Sequence, residues 1–290
     1  MPSDVLLEIT KVGLLAFVVA SMLSMGLKLT VASIVEPLKN ARLVILLLLA
    51  NFVVVPAIMV LVTSVLPMDD ATATALILVS CCAGAPFLPT LAKLSKGDPA
   101  FAVGGMVLLM VVTVVYAPIV VPLVVKGATV SAWDIASSLI VLMLIPLAVG
   151  LFIRARYTGL AATWAKPVNQ LSIMGLLIGL VAGILTNWSE IVASVGTWIF
   201  VGTLILVVVS YAAGYLAGFG MPSASRRITS FATAQRNISA ALVIAVSLDG
   251  DVMVRTLVAA LVVPVLLILV AAEMGKRGGK PEREQAAATA

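Results

Sequence analysis

A polar run, Thr229-Ser230-Phe231-Ala232-Thr233-Ala234-Gln235-Arg236-Asn237-Ile238-Ser239, lies inside an otherwise apolar stretch. The chain has no His, so a Ser-His-Asp triad, a histidine metal site and a histidine proton relay are excluded. Its two cysteines, Cys81 and Cys82, are adjacent, and a thiol-metal site wants more ligands. No enzyme activity, metal or cofactor is expected. What the run can do is bind. Arg236 offers five N–H donors and Asn237 offers both a donor and an acceptor. An arginine at mid-membrane costs roughly 2.5–3.5 kcal/mol on insertion scales, so it needs partners. Backbone carbonyls, the oxygens of Asn51 or Gln235, water and an anionic ligand are the candidates. Three readings stay open for Arg236: a fixed cation that holds the local backbone together, a contact to a substrate anion, which can coexist with the first, and a side chain that snorkels out of the span. Asn237 is either a substrate contact or the cap of a following helix.

The elements that must position these residues are membrane spans. Of 290 residues 62% are hydrophobic and 11% charged, against about 25% charged in a soluble domain. That composition excludes a soluble globular protein. The apolar stretches are continuous and lack a two-residue alternation, which excludes an outer-membrane barrel. Charge gaps mark nine spans: Ile9–Leu29, Arg42–Leu66, Ala71–Ser95, Ala100–Val125, Trp133–Phe152, Val168–Trp188, Val195–Phe219, Ile228–Leu248 and Val252–Ala272. Fourteen of the 18 basic residues fall on one set of loop ends. This bias places the N-terminus outside and the C-terminus in the cytoplasm, in a plasma (inner) membrane. The net charge of +5 follows from this loop bias, and no nucleic-acid partner is expected. Residues 1–8 have no basic n-region, so no cleavable signal is expected, and residues 273–290 read as a disordered cytoplasmic tail.

Two spans are not ordinary. The third contains Gly84, Pro86 and Pro89, which interrupt a helix near Ala83–Pro89. The eighth contains the polar run and is interrupted near Thr233–Asn237. Pairing first with sixth, second with seventh, third with eighth and fourth with ninth leaves the fifth alone. Partners five spans apart run in opposite senses, so the pattern is an inverted repeat with a broken third helix in each half. Glycines at 175, 179 and 183, and at 214 and 218, read as close helix packing. Asn169, Gln170 and Ser172 read as helix–helix hydrogen bonds.

With Cys81-Cys82-Ala83-Gly84, Leu91-Ala92-Lys93, Lys96-Gly97-Asp98, Arg236-Asn237 and Ala240-Ala241-Leu242 in this order, the chain resembles the bile acid:sodium symporter family. Ser24-Met25-Gly26-Leu27-Lys28-Leu29 and Asn51 … Pro56 add to the likeness. The resemblance implies a panel of spans one, five and six. It implies a core of spans two to four and seven to nine, with the broken helices crossing in it. It places the substrate between panel and core, near Phe87, Leu88, Thr90, Arg236, Asn237, Ile238 and Ser239. It also implies two sodium sites, and here the chain departs. Leu88, Pro89, Ala102, Met106 and Ala232 stand where one site has polar side chains. At the other, Asn51 and Arg236 replace family glutamines, beside Gln235. The expectation is a secondary transporter of a small or amphipathic organic anion, independent of sodium, with Arg236 in place of an ion. The alternatives are a sodium-coupled anion symporter and a membrane receptor or scaffold that kept the fold and lost transport. Partners implied are the organic anion and the lipid bilayer.

Overall fold

The computed structural model describes residues 2–35, 39–125, 132–186, 188–248 and 250–277. Among these the chain is helical. In order, the helices are α1 (Pro2–Lys28), α2 (Val31–Val35), α3 (Ala41–Leu49), α4 (Val55–Val65), α5 (Asp70–Cys81), α6 (Leu88–Leu94), α7 (Pro99–Val124), α8 (Ala132–Leu139), α9 (Ile145–Arg156), α10 (Thr158–Thr186), α11 (Trp188–Ala193), α12 (Ile199–Ala217), α13 (Ser223–Ala234), α14 (Ile238–Ala245) and α15 (Gly250–Arg277). Short π-turns join α3 to α4 and α8 to α9. Among the described residues seven helices, taking α3–α4 and α8–α9 each as one through its π-turn, are long and apolar enough to cross a membrane. The chain is an all-α multi-pass membrane protein.

The expected third and eighth spans are each two pieces. Helices α5 and α13 have 12 residues and α6 and α14 have 7 and 8. At 1.5 Å per residue none of these pieces reaches across about 30 Å of hydrocarbon alone. The interruption in the third span covers residues 82–87, because Pro89 sits in the first turn of α6. There its missing N–H is an orphan anyway, so it begins a helix rather than breaking one. In the eighth span Thr233 still belongs to α13, which ends at Ala234, and only Gln235, Arg236 and Asn237 lie between the pieces.

Several helices outrun the hydropathy limits. Helix α1 begins at Pro2, α10 at Thr158, and α15 runs on to Arg277 past the expected end at Ala272. Hydropathy marks contact with lipid, whereas backbone bonding continues through charges where packing supports it. Gly275 lies against the Leu94 carbonyl carbon, 3.3 Å from where a Cβ would be, and the Tyr211 hydroxyl reaches the Met274 sulfur at 2.9 Å. The remainder of the expected tail lies outside the described residues.

Glycines set the closest packing. A Cβ on Gly13 would lie 2.7 Å from the Gly179 Cα, and one on Gly26 would lie 2.8 Å from the Gly150 Cα. Helix α1 is thus wedged between α10 and α9. Lys28 donates to Asn169 Oδ1 at 2.8 Å and Ser172 to the Phe17 carbonyl at 3.3 Å, so these polar residues do join helices. A second close seam holds α12 to α13, where a Cβ on Gly214 would meet the Ser230 Cα at 2.8 Å.

Candidate functional site: two breaks around a buried arginine

The second expected span supplies one wall. In its π-turn, Ala50–Val54, the Val55 N–H bonds back five residues to the Ala50 carbonyl. An α-helix would have used that N–H for the Asn51 carbonyl, and the next residue is Pro56, which has none. The Asn51 carbonyl is therefore free to accept from elsewhere. Pro56 also cannot serve the Phe52 carbonyl, which takes the Tyr116 hydroxyl at 2.6 Å. The fifth expected span repeats the device, with Ile145 bonding Ile140 just before Pro146.

Arg236 fills the space so prepared. Its side chain is completely enclosed, with 0% exposure. Nε donates to the Val79 carbonyl at 3.3 Å. Nη1 donates to Asn51 Oδ1 at 3.0 Å and to the Thr233 carbonyl at 2.9 Å. Nη2 donates to the Asn51 carbonyl at 3.3 Å and to the Ser80 carbonyl. All five N–H donors are used, each on a neutral oxygen. Val79 and Ser80 belong to the last turn of α5 and Thr233 to the last turn of α13. Two helix C-termini, the negative ends of their dipoles, thus converge on one guanidinium. Asn51 Nδ2 donates to Thr233 Oγ1 at 3.0 Å and fixes the orientation of its own acceptor. The arrangement is a cage of oxygens around a cation, and the cation is part of the chain. In this conformation no guanidinium donor is left over for a substrate anion.

Asn237 joins the two breaks. Its backbone N–H donates to the Cys82 carbonyl at 2.9 Å and Nδ2 to the Gly84 carbonyl at 3.0 Å. Its Oδ1 accepts the Ala240 N–H at 3.0 Å, so the same side chain caps α14. The first break is also held by Thr113 on α7, whose Oγ1 accepts the Ala83 N–H and donates to the Ala83 carbonyl, both at 2.9 Å. Gly84 adopts φ 81°, and a Cβ there would sit 2.6 Å from the Met110 Cα.

The other expected site residues spread out. Leu88 and Ser239 are buried, Phe87 and Ile238 half-buried, and Thr90 exposed at the side of α6. Gln235 is enclosed in the second break; its Nε2 is 3.5 Å from the Arg236 carbonyl, and Oε1 has no partner. It does not reach the Arg236 guanidinium. Leu88, Ala102, Met106 and Ala232 are all buried and carry no oxygen-bearing side chain. An apolar groove of about 590 Å³ lies elsewhere, between α1 and α10, lined by residues including Val12, Met174 and Ile178. The sequence reading missed Thr113, Tyr116 and the carbonyls of Val79 and Ser80.

The sequence model of the Sodium Bile acid symporter family matches residues 15–194. The chain belongs to that family. Its members are transporters of the bile acid/sodium type rather than enzymes. The symporter-family match runs through the first break and ends before α12, so Arg236 and Asn237 lie beyond it. No curated protein matches the chain.

Proposed function

We propose that this family member carries a small or amphipathic organic anion, a bile-acid-like or other carboxylate, across the plasma membrane without sodium. Transport proceeds by alternating access. The panel is the unit of α1, α8–α9 and α10, and the core holds the two broken spans. The chain spans the membrane nine times, N-terminus outside and C-terminus in the cytoplasm. The observation that carries this reading is the cage around Arg236: five neutral oxygen acceptors, three at the C-termini of two half-helices and two from Asn51 in the π-turn, already filled by a tethered cation. A sodium ion would have to share that space with a positive charge. The apolar side chains of Leu88, Pro89, Ala102, Met106 and Ala232 supply no ligands for another.

The substrate lies beside the crossover, against Phe87, Leu88, Thr90, Ile238 and Ser239. Asn237 contributes its second amide hydrogen, and Arg236 acts at a distance through its charge. At about 8 Å and an effective dielectric of about 20, one unit charge attracts another by roughly 2 kcal/mol. The fixed cation keeps the two breaks together through the whole cycle, so substrate alone biases the inward and outward states. The test is uptake of labelled glycocholate into proteoliposomes in NaCl, KCl and choline chloride at equal ionic strength. Equal saturable uptake in all three is expected. Uptake confined to NaCl would overturn the proposal.

A further inference from the structure

A carrier that moves a mobile cation with each anion moves no net charge or a positive charge inward. A carrier whose cation is covalently part of the chain brings that cation back on every cycle, and its movement sums to zero. We infer that each cycle of this protein translocates only the substrate's own negative charge, and that the inside-negative membrane potential drives it as an exporter of a monovalent organic anion. The inference rests on the sodium-independent reading above and adds to it the direction and driving force of transport.

Three observations carry it. Arg236 is completely enclosed and tied to the backbone of α5, α13 and the π-turn, so its charge cannot leave with substrate. Among the described residues no carboxylate pairs with it, and all 13 acidic residues of the sequence fall near the ends of the expected spans, in loops or in the tail. Among the described residues no interior group is placed as a proton carrier either. The chain has no His, Cys81 and Cys82 are enclosed free thiols, and the Tyr116 proton is committed to the Phe52 carbonyl at 2.6 Å. With a monoanion bound, fixed charge and substrate cancel, and the loaded core crosses the field with little electrical work. Emptied on the outside, the core is left with one positive charge, and an inside-negative potential pulls it back in. Uptake would run the same steps against the field. One charge through 100 mV corresponds to about 2.3 kcal/mol, or an equilibrium concentration ratio of about fifty in favour of the outside.

The experiment uses the full chain in sodium-free proteoliposomes, with potassium gradients and valinomycin setting the potential and labelled glycocholate as the probe. The sign of the result does not depend on which way the protein inserts. Expected is accumulation in interior-positive vesicles and loss from interior-negative ones. The ratio should approach about fiftyfold at about 100 mV and be the same when choline or sodium replaces part of the salt. Accumulation in interior-negative vesicles without sodium would overturn the inference and leave sodium independence standing. So would flux that ignores the potential and needs unlabelled glycocholate on the opposite side, which marks obligatory exchange. Accumulation that requires sodium would overturn the underlying reading itself. Absence of saturable glycocholate flux in every medium would overturn transport of this class of anion, and the inference with it.

Discussion

The two breaks are bonded to each other, yet they are held open by different means. The first, residues 82–87, is clamped from outside: Thr113 on α7 serves both polar groups of Ala83, and Gly84 fits against the Met110 backbone. Its own side chains are small or apolar. The second, Gln235 to Asn237, holds itself open with its own side chains. Arg236 gathers the helix ends and Asn237 caps α14 while reaching across to Gly84. The difference teaches that two breaks packed on each other need not share their chemistry equally. The first break provides the carbonyls that Asn237 uses, while the charge of the second gathers the last turn of α5, Thr233 and Asn51.

Substitutions sharpen this contrast, and the largest effect is expected at Arg236. Replacing it with Ala leaves five buried oxygens without their donor and should cost about 3–5 kcal/mol, read as a fall in the unfolding temperature in detergent. Arg236→Gln keeps an amide donor and should lose less. A small loss in both would mean that the cage does not hold the crossover. Gly84→Ala comes next. Its left-handed φ and the close Met110 backbone together should cost about 2–4 kcal/mol. If the first break is only a clamp, the variant that still folds keeps its response to membrane potential, measured in the same vesicles. Asn237→Ala removes a cap and a bond across the breaks, for about 1–3 kcal/mol of stability. Glycocholate affinity should fall with it, and unchanged affinity by equilibrium binding would remove Asn237 from the substrate site. Smallest is Thr113→Val, which orphans the Ala83 N–H for about 1–2 kcal/mol and should leave affinity alone.

Both breaks were legible in the sequence because helix-breaking and membrane insertion are local costs. Gly84 and Pro86 two residues apart weaken a helix more than the single prolines carried inside α10 and α15 do, and a polar run around Arg236 cannot sit unpaired in hydrocarbon. Asn51 was legible as a partner for the same reason. What the sequence could not display was the other side of each contact. Val79 and Ser80 act through carbonyls, which every residue has, and only the folded position of α5 selects them. Thr113 looks like any hydroxyl in a Val-rich span. Pro56 was a usable signal: a proline five residues after a buried Asn strips acceptor carbonyls of their helix partners, and the π-turn at Ala50–Val54 completes that. Pro89 misled by one turn, since the same ring that breaks a helix interior is tolerated at its start.

A sodium titration of the unliganded protein tests most directly the proposal that a tethered guanidinium takes the place of a bound sodium ion. Unfolding temperature in detergent is followed as NaCl replaces KCl at constant ionic strength, alongside direct binding of radioactive sodium. A cation bound only to the folded state adds about 2.7 kcal/mol at a hundred times its dissociation constant, an easily measured shift. The expected result is superimposable curves in the two salts and no saturable sodium binding. A saturable, sodium-specific stabilisation of the wild-type protein would contradict it.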